Sequence, residues 1–149
     1  MRERVQDIIK STRGKEARVM AILHSVQDEF GYIPKEAMEI IAEEIGISKS
    51  EIYDTASFYS FFTFKPAKHV IRVCNGFVCN LKGSEDIIKA IEEKYGISNG
   101  EATKDGLFLL QVVECIGRCE GPPAMLVDDE SYGNLTPEKA LEILRRYEE

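Results

Sequence analysis

The sequence predicts an α+β chain, a helical N-terminal bundle followed by a small α/β domain, and three observations predict it. Apolar residues recur at helical spacing in the first part, while short β-branched runs alternate with helical segments in the second. All four cysteines lie in the second part. The change of pattern falls near Lys65-Pro66-Ala67-Lys68, a short polar stretch with a proline, so the expected domains are 1–66 and 67–149.

In chain order, a first short helix is expected over about residues 3–12, with Val5, Ile8 and Ile9 as its contacts. Val19, Ile22, Leu23, Val26 and Phe30 then form the stripe of an amphipathic helix that ends at Gly31. Pro34 can open the next helix at its first position, where a missing N–H costs nothing. That helix shows Met38, Ile41, Ala42 and Ile45 on one face and stops at Gly46. Ser48-Lys49-Ser50-Glu51 fits a capping box, and the following helix is expected from about 50 to 61. Near its end, FYSFFTF (58–64) holds five of the chain's thirteen aromatic residues. Core and interdomain packing is one reading of that cluster; an exposed patch that docks another subunit is the other.

In the second part, His69–Val73 is a β-branched run that leads directly into Cys74. Ser84 can cap a helix with Glu85 and Asp86 in its first turn, ending at Gly96. Further strands are expected at Leu107–Val113, Ala124–Val127 and around Tyr132, with a turn at Asp128-Asp129-Glu130. Thr136-Pro137 opens a final helix with Ala140, Leu141, Leu144 and Tyr147 inward.

Composition narrows the function. Of 149 residues, 44% are hydrophobic and 30% charged, enough to bury a core. The net charge is −7, which argues against nucleic acid as the main partner, since phosphate neutralisation needs clustered Lys and Arg. Residues 1–68 carry 10 basic and 11 acidic side chains; residues 69–149 carry 9 and 15, a net of −6. No apolar run approaches the roughly 18 residues of a membrane span, and MRERVQDIIK lacks a signal-peptide apolar region. The expected compartment is the cytoplasm, where paired cysteines more often hold metal than form disulfides.

The cysteines fall as Cys74-x4-Cys79, a gap of 35 residues, then Cys115-x3-Cys119, each pair following the end of an expected strand. If those strands are parallel neighbours, both loops emerge at one sheet edge and four thiolates can converge on one point. Soft thiolates favour zinc or an iron–sulfur cluster over magnesium or calcium. Zinc knuckles prefer shorter spacings, whereas a [2Fe–2S] cluster also takes four thiolates. Gly76, Gly117 and Gly121 let backbone come close and aim N–H groups at sulfur. Spacing alone leaves [2Fe–2S], zinc and redox-active or structural thiols open.

Longer patterns add to this. VCNGFVCNLKG (73–83) and VECIGRCEGPPAMLVDDESYGNLTPEKALEIL (113–144) resemble the two cysteine loops and the final strands and helix of the thioredoxin-like [2Fe–2S] ferredoxins. AILHSVQDEFGYIP (21–34) and TASFYSFFTFKP (55–66) resemble the helical segment preceding this ferredoxin in the 24 kDa subunit of NADH:quinone oxidoreductase (complex I). The equivalent small subunits of NAD(P)-linked, often electron-bifurcating, [FeFe]-hydrogenases and of formate dehydrogenases share it. The resemblance implies a thioredoxin-like domain with one [2Fe–2S] cluster held by Cys74, Cys79, Cys115 and Cys119. It also implies a partner flavoprotein subunit binding FMN and NAD(P)H, further iron–sulfur or hydrogenase subunits, and contact with a membrane only through a larger complex.

Relatives usually carry small residues where Phe77 and Arg118 stand, and often His or Met at the place of Asn80. An Arg118 lying near the cluster would favour the more negative reduced state and raise the potential. The chain has no Gly-x-Gly-x-x-Gly after a strand and no phosphate-binding Lys-Ser/Thr loop, so no complete active site is expected in it. His24 reads as a bundle or surface histidine, and His69 has no acidic partner within a recognisable motif. Asp128-Asp129-Glu130 reads as a solvated turn rather than a hard-metal site. The expected function is a one-electron carrier serving a flavin in another subunit; the alternatives are a zinc-stabilised interaction module and a stand-alone thioredoxin-like thiol protein. The second alternative is weakened because neither pair is Cys-x-x-Cys.

Overall fold

Helices form where apolar residues recur every three or four positions, and strands where β-branched runs interrupt that period. The structure, a computed structural model, describes residues 1–12 and 18–148. The chain divides into two compact units, Met1–Pro66 and Ala67–Glu149. Among the described residues, the first unit holds helices α1 (Arg2–Ser11), α2 (Arg18–Phe30), α3 (Lys35–Ile45) and α4 (Lys49–Phe58). Their apolar faces meet in one core built on Val5, Ile22, Leu23, Val26, Ile41 and Ile52. Ser48 caps α4 by accepting the Glu51 backbone N–H at 3.2 Å, so the serine half of the expected capping box forms. Pro34 stands one position before α3, at its N-cap rather than its first turn.

The end of α4 is also corrected. The helix expected to reach residue 61 ends at Phe58, because Gln27 on α2 claims the following backbone. Gln27 Nε2 donates to the Phe61 carbonyl at 2.8 Å, and its Oε1 accepts the Thr63 N–H at 2.8 Å. The aromatic cluster is partly core and partly exposed. Phe62 is buried in the helical core and Phe64 packs against it, whereas Phe58 (81% exposed), Tyr59 and Phe61 face outward.

The second unit runs β1 (His69–Cys74), α5 (Phe77–Leu81), α6 (Ser84–Tyr95), β2 (Phe108–Val113), β3 (Met125–Val127), β4 (Glu130–Tyr132) and α7 (Pro137–Arg145). The sheet order is β2-β1-β3-β4. Strands β1 and β2 are parallel, with Cys74 level with Val113, while β3 pairs antiparallel with both β1 and β4. Alternate residues Ile71, Val73, Phe108, Leu110, Met125 and Val127 face one way and pack against Ile87 and Ile91 of α6 and Leu144 of α7. Thr136 caps α7 by accepting the Lys139 N–H at 3.3 Å. The five-residue α5 went unforeseen, since one turn of helix is too short to show periodicity.

Candidate functional site

Parallel pairing of β1 and β2 is what brings the cysteines together. Both strands end at the same sheet edge, so the loops that follow them leave side by side. Cys74 closes β1, Cys79 lies on α5, and Cys115 and Cys119 occupy the loop after β2. All four line one cavity of about 280 Å³, together with Gly76, Phe77, Val78 and Glu114.

Cys79 neighbours Cys74, and Cys119 neighbours Cys115. Among the described residues, no three His, Cys, Asp or Glu side chains converge as they would around one metal ion. The pairs also differ in environment: Cys74 and Cys79 are buried, whereas Cys115 and Cys119 are exposed.

Backbone shapes this cavity closely. Gly76 passes so near the Glu114 carbonyl that a Cβ there would collide with its oxygen. Gly117, at φ +73°, turns its N–H onto Cys115 Sγ at 3.3 Å. The Cys74 thiol points at the Glu114 carbonyl, 3.7 Å away. Burial, then the adjacent Cys74, pushes the Cys79 thiol up, partly offset by the Ala124 backbone N–H that reaches it. The neighbouring Cys115, then burial, raises Cys119.

Several expectations about side chains near the site change. Arg118 is not a cavity residue: its Nη1 donates to Ser131 Oγ on β4 at 2.8 Å, turning the guanidinium toward the sheet. Ser84 does not cap α6. It is the first residue of that helix, fully buried, and its hydroxyl donates instead to Asn75 Oδ1. His69 has an acidic partner after all, Asp128 Oδ2 at 2.7 Å from its Nδ1. Asp128 Oδ1 also accepts the Val70 N–H at 2.8 Å, so this residue ties the β3–β4 turn to β1 rather than sitting free in solvent. Fifty-nine residues separate the histidine from the aspartate, which is why no local motif announced the pair. His24 stacks on Phe61 with ring centroids 5.0 Å apart in the helical unit.

Asn75 is the site residue that sequence reasoning overlooked, because a lone asparagine after a cysteine carries no motif. Its only sequence-level signal is its position between Cys74 and the close-approach glycine Gly76.

The fold has known counterparts. The thioredoxin-like [2Fe–2S] ferredoxin family model matches residues 5–148. The NADP-reducing hydrogenase subunit HndA of Solidesulfovibrio fructosivorans is 37% identical over 147 residues, covering 98% of this chain and 85% of its own length. The NADH-quinone oxidoreductase subunit 2 of Thermus thermophilus is 38% identical over 146 residues, covering 93% of this chain and 81% of its own length. The crystal structure of an NAD+-reducing [NiFe]-hydrogenase in the air-oxidized state shares the fold, with a TM-score of 0.73 at 22% identity. That match covers 87% of this chain and 22% of the hydrogenase chain. The full-span match to the family model and the two relatives, both named as subunits of oxidoreductases, agree with the paired thiols, and the chain belongs to the thioredoxin-like [2Fe–2S] ferredoxin family.

Proposed function

We propose that Cys74, Cys79, Cys115 and Cys119 hold one [2Fe–2S] cluster, and that the chain is the electron-carrying small subunit of an NAD(P)H-linked oxidoreductase. The observation that carries this reading is the lining of one cavity by all four thiols, at the ends of two parallel strands. Four thiolates can also hold zinc, and the match to the [2Fe–2S] family model over residues 5–148 favours the cluster. When bound, the cluster supplies one-electron redox chemistry.

The chain's own residues do the rest. Cys74 and Cys79 close the inner side of the cavity against water, and the exposed Cys115 and Cys119 form the side open to an electron partner. The Gly117 N–H donates to Cys115 Sγ at 3.3 Å, aiming a backbone dipole at the sulfur that would bind iron. The acidic surroundings, net −6 over residues 69–149, disfavour added negative charge and so favour a low potential. The partner in this reading is a flavoprotein subunit that binds FMN and NAD(P)H and divides electron pairs into single electrons. Hydride chemistry belongs to that subunit, with this chain as a non-catalytic carrier. The assembly is of the complex I type or an NAD-linked, electron-bifurcating hydrogenase, cytoplasmic or peripheral to a membrane. Among the described residues, no helix is long and apolar enough to cross one.

Anaerobic purification with absorption spectroscopy and iron and sulfide analysis tests the reading. About two irons and two sulfides per chain are expected. Cys74→Ser and Cys115→Ser should abolish or alter the signal. A colourless protein loaded with zinc overturns the reading, and an unchanged signal in the serine variants overturns the ligand assignment. Co-purification of an FMN-containing chain is the expected result for the partner; its absence from the intact complex refutes that part.

A further inference from the structure

Asn75 follows Cys74, and its amide oxygen gathers two donors from different parts of the fold. The Ser84 hydroxyl donates to Asn75 Oδ1 at 2.7 Å, and Asn80 Nδ2 donates to the same oxygen at 3.0 Å. Ser84 is fully buried at the start of α6, and Asn80 is the residue after Cys79. The backbone N–H of Asn75 donates to the Val113 carbonyl at 2.8 Å, two residues before Cys115. One residue therefore ties together the first cysteine, the neighbour of the second, the helix α6 and the strand that leads to the other pair. Asn75 does not itself line the cysteine cavity, so whatever it does there it does through these neighbours.

The network leaves little slack. Removing the shared acceptor strands a buried hydroxyl, which costs more than the loss of one ordinary hydrogen bond. It also removes the side-chain bond between α5, five residues long, and the residue after β1, while the Asn80 Nδ2 bond to Glu85 Oε1 on α6 at 3.3 Å remains.

Resting on the ligand assignment above, we propose that Asn75 is a positioning residue whose side-chain oxygen, by holding Asn80 and Ser84, sets the spacing of Cys74 and Cys79. Asn75→Asp keeps an acceptor oxygen in place and Asn75→Leu removes it. Ser84→Ala removes the buried donor and needs no acceptor.

The test measures iron release to a chelator and the electron paramagnetic resonance spectrum of the reduced full-length protein, with circular dichroism to report folding. Asn75→Leu is expected to lose iron about tenfold faster than the wild type and to change the spectrum, the scale of one lost buried hydrogen bond. Asn75→Asp is expected to stay near the wild type on both counts. In a Ser84→Ala background, Asn75→Leu should accelerate release less than it does in the wild type. Wild-type release and spectrum in Asn75→Leu overturn the proposal, as does an Asn75→Asp variant as defective as Asn75→Leu. Should Asn75→Leu fail to fold, Ser84→Ala decides: faster release with a changed spectrum supports the proposal, and wild-type behaviour overturns it. A wild-type protein that binds no iron refutes the ligand assignment instead, a distinct result.

Discussion

At Gly76 the chain runs against the Glu114 carbonyl, and the two cysteine loops owe their closeness to the missing side chain there. Gly76→Ala forces the loops apart and is expected to destabilise the second unit by about 1–3 kcal/mol, the usual range for overpacking a tight site. Iron content should fall with it. Thermal melts and iron analysis check both, and a variant matching the wild type would show that the contact relaxes freely. The cysteines and the glycines between them were legible in the sequence because their spacing carries the signal. The partners Asn75–Ser84 and His69–Asp128 were not, since hydrogen bonding between positions 9 and 59 residues apart leaves no local pattern.

Among elements, the end of the molecule shows how a strand and a helix are joined. Tyr132 on β4 donates to Glu130 Oε2 at 2.6 Å, and Tyr147, just past α7, donates to the same oxygen at 3.1 Å. The Tyr132 hydroxyl bond, then that of Tyr147, holds the Glu130 carboxyl below its usual range. A carboxylate whose pKa is lower folded than unfolded adds stability above its unfolded pKa, and that stability is lost as pH falls through the folded value. Wild type is therefore expected to melt slightly higher than Glu130→Ala at neutral pH, with the gap closing on acidification below the glutamate range. The effect is small because Glu130 is solvent-exposed, and a gap that widens in acid would contradict it. Caps at Ser48 and Thr136 were readable in advance, as both depend on residues within three positions. The end of α4 was not, because Gln27, more than thirty residues earlier, decides it.

At the scale of the whole molecule, each unit has its own buried core, and every proposed ligand and its supporting strand or helix belongs to Ala67–Glu149. A fragment of residues 67–149 is therefore expected to fold and to hold about two irons per chain. Far-UV circular dichroism and iron analysis of that fragment check this; a folded fragment without iron would mean that the helical unit contributes to ligation. The acidity follows the same division, with a net of −6 over residues 69–149 against −1 over residues 1–68. That places the charge in the unit that carries the four cysteines, while the exposed Phe58, Tyr59 and Phe61 belong to a unit of nearly neutral net charge.

By itself the sequence determined the order and type of nearly every element, the split into helical and α/β parts, and the identity of the four thiols. These rest on short-range physics: periodicity, capping and spacing all act within a turn or a strand. Only the tertiary structure decided that β1 and β2 lie parallel with Cys74 level with Val113, that the four thiols line one cavity, and that Arg118 bonds Ser131 instead of lining that cavity. Those outcomes depend on which distant segments pack together, and that is set by burial of the two cores and by hydrogen bonds between residues far apart in the chain.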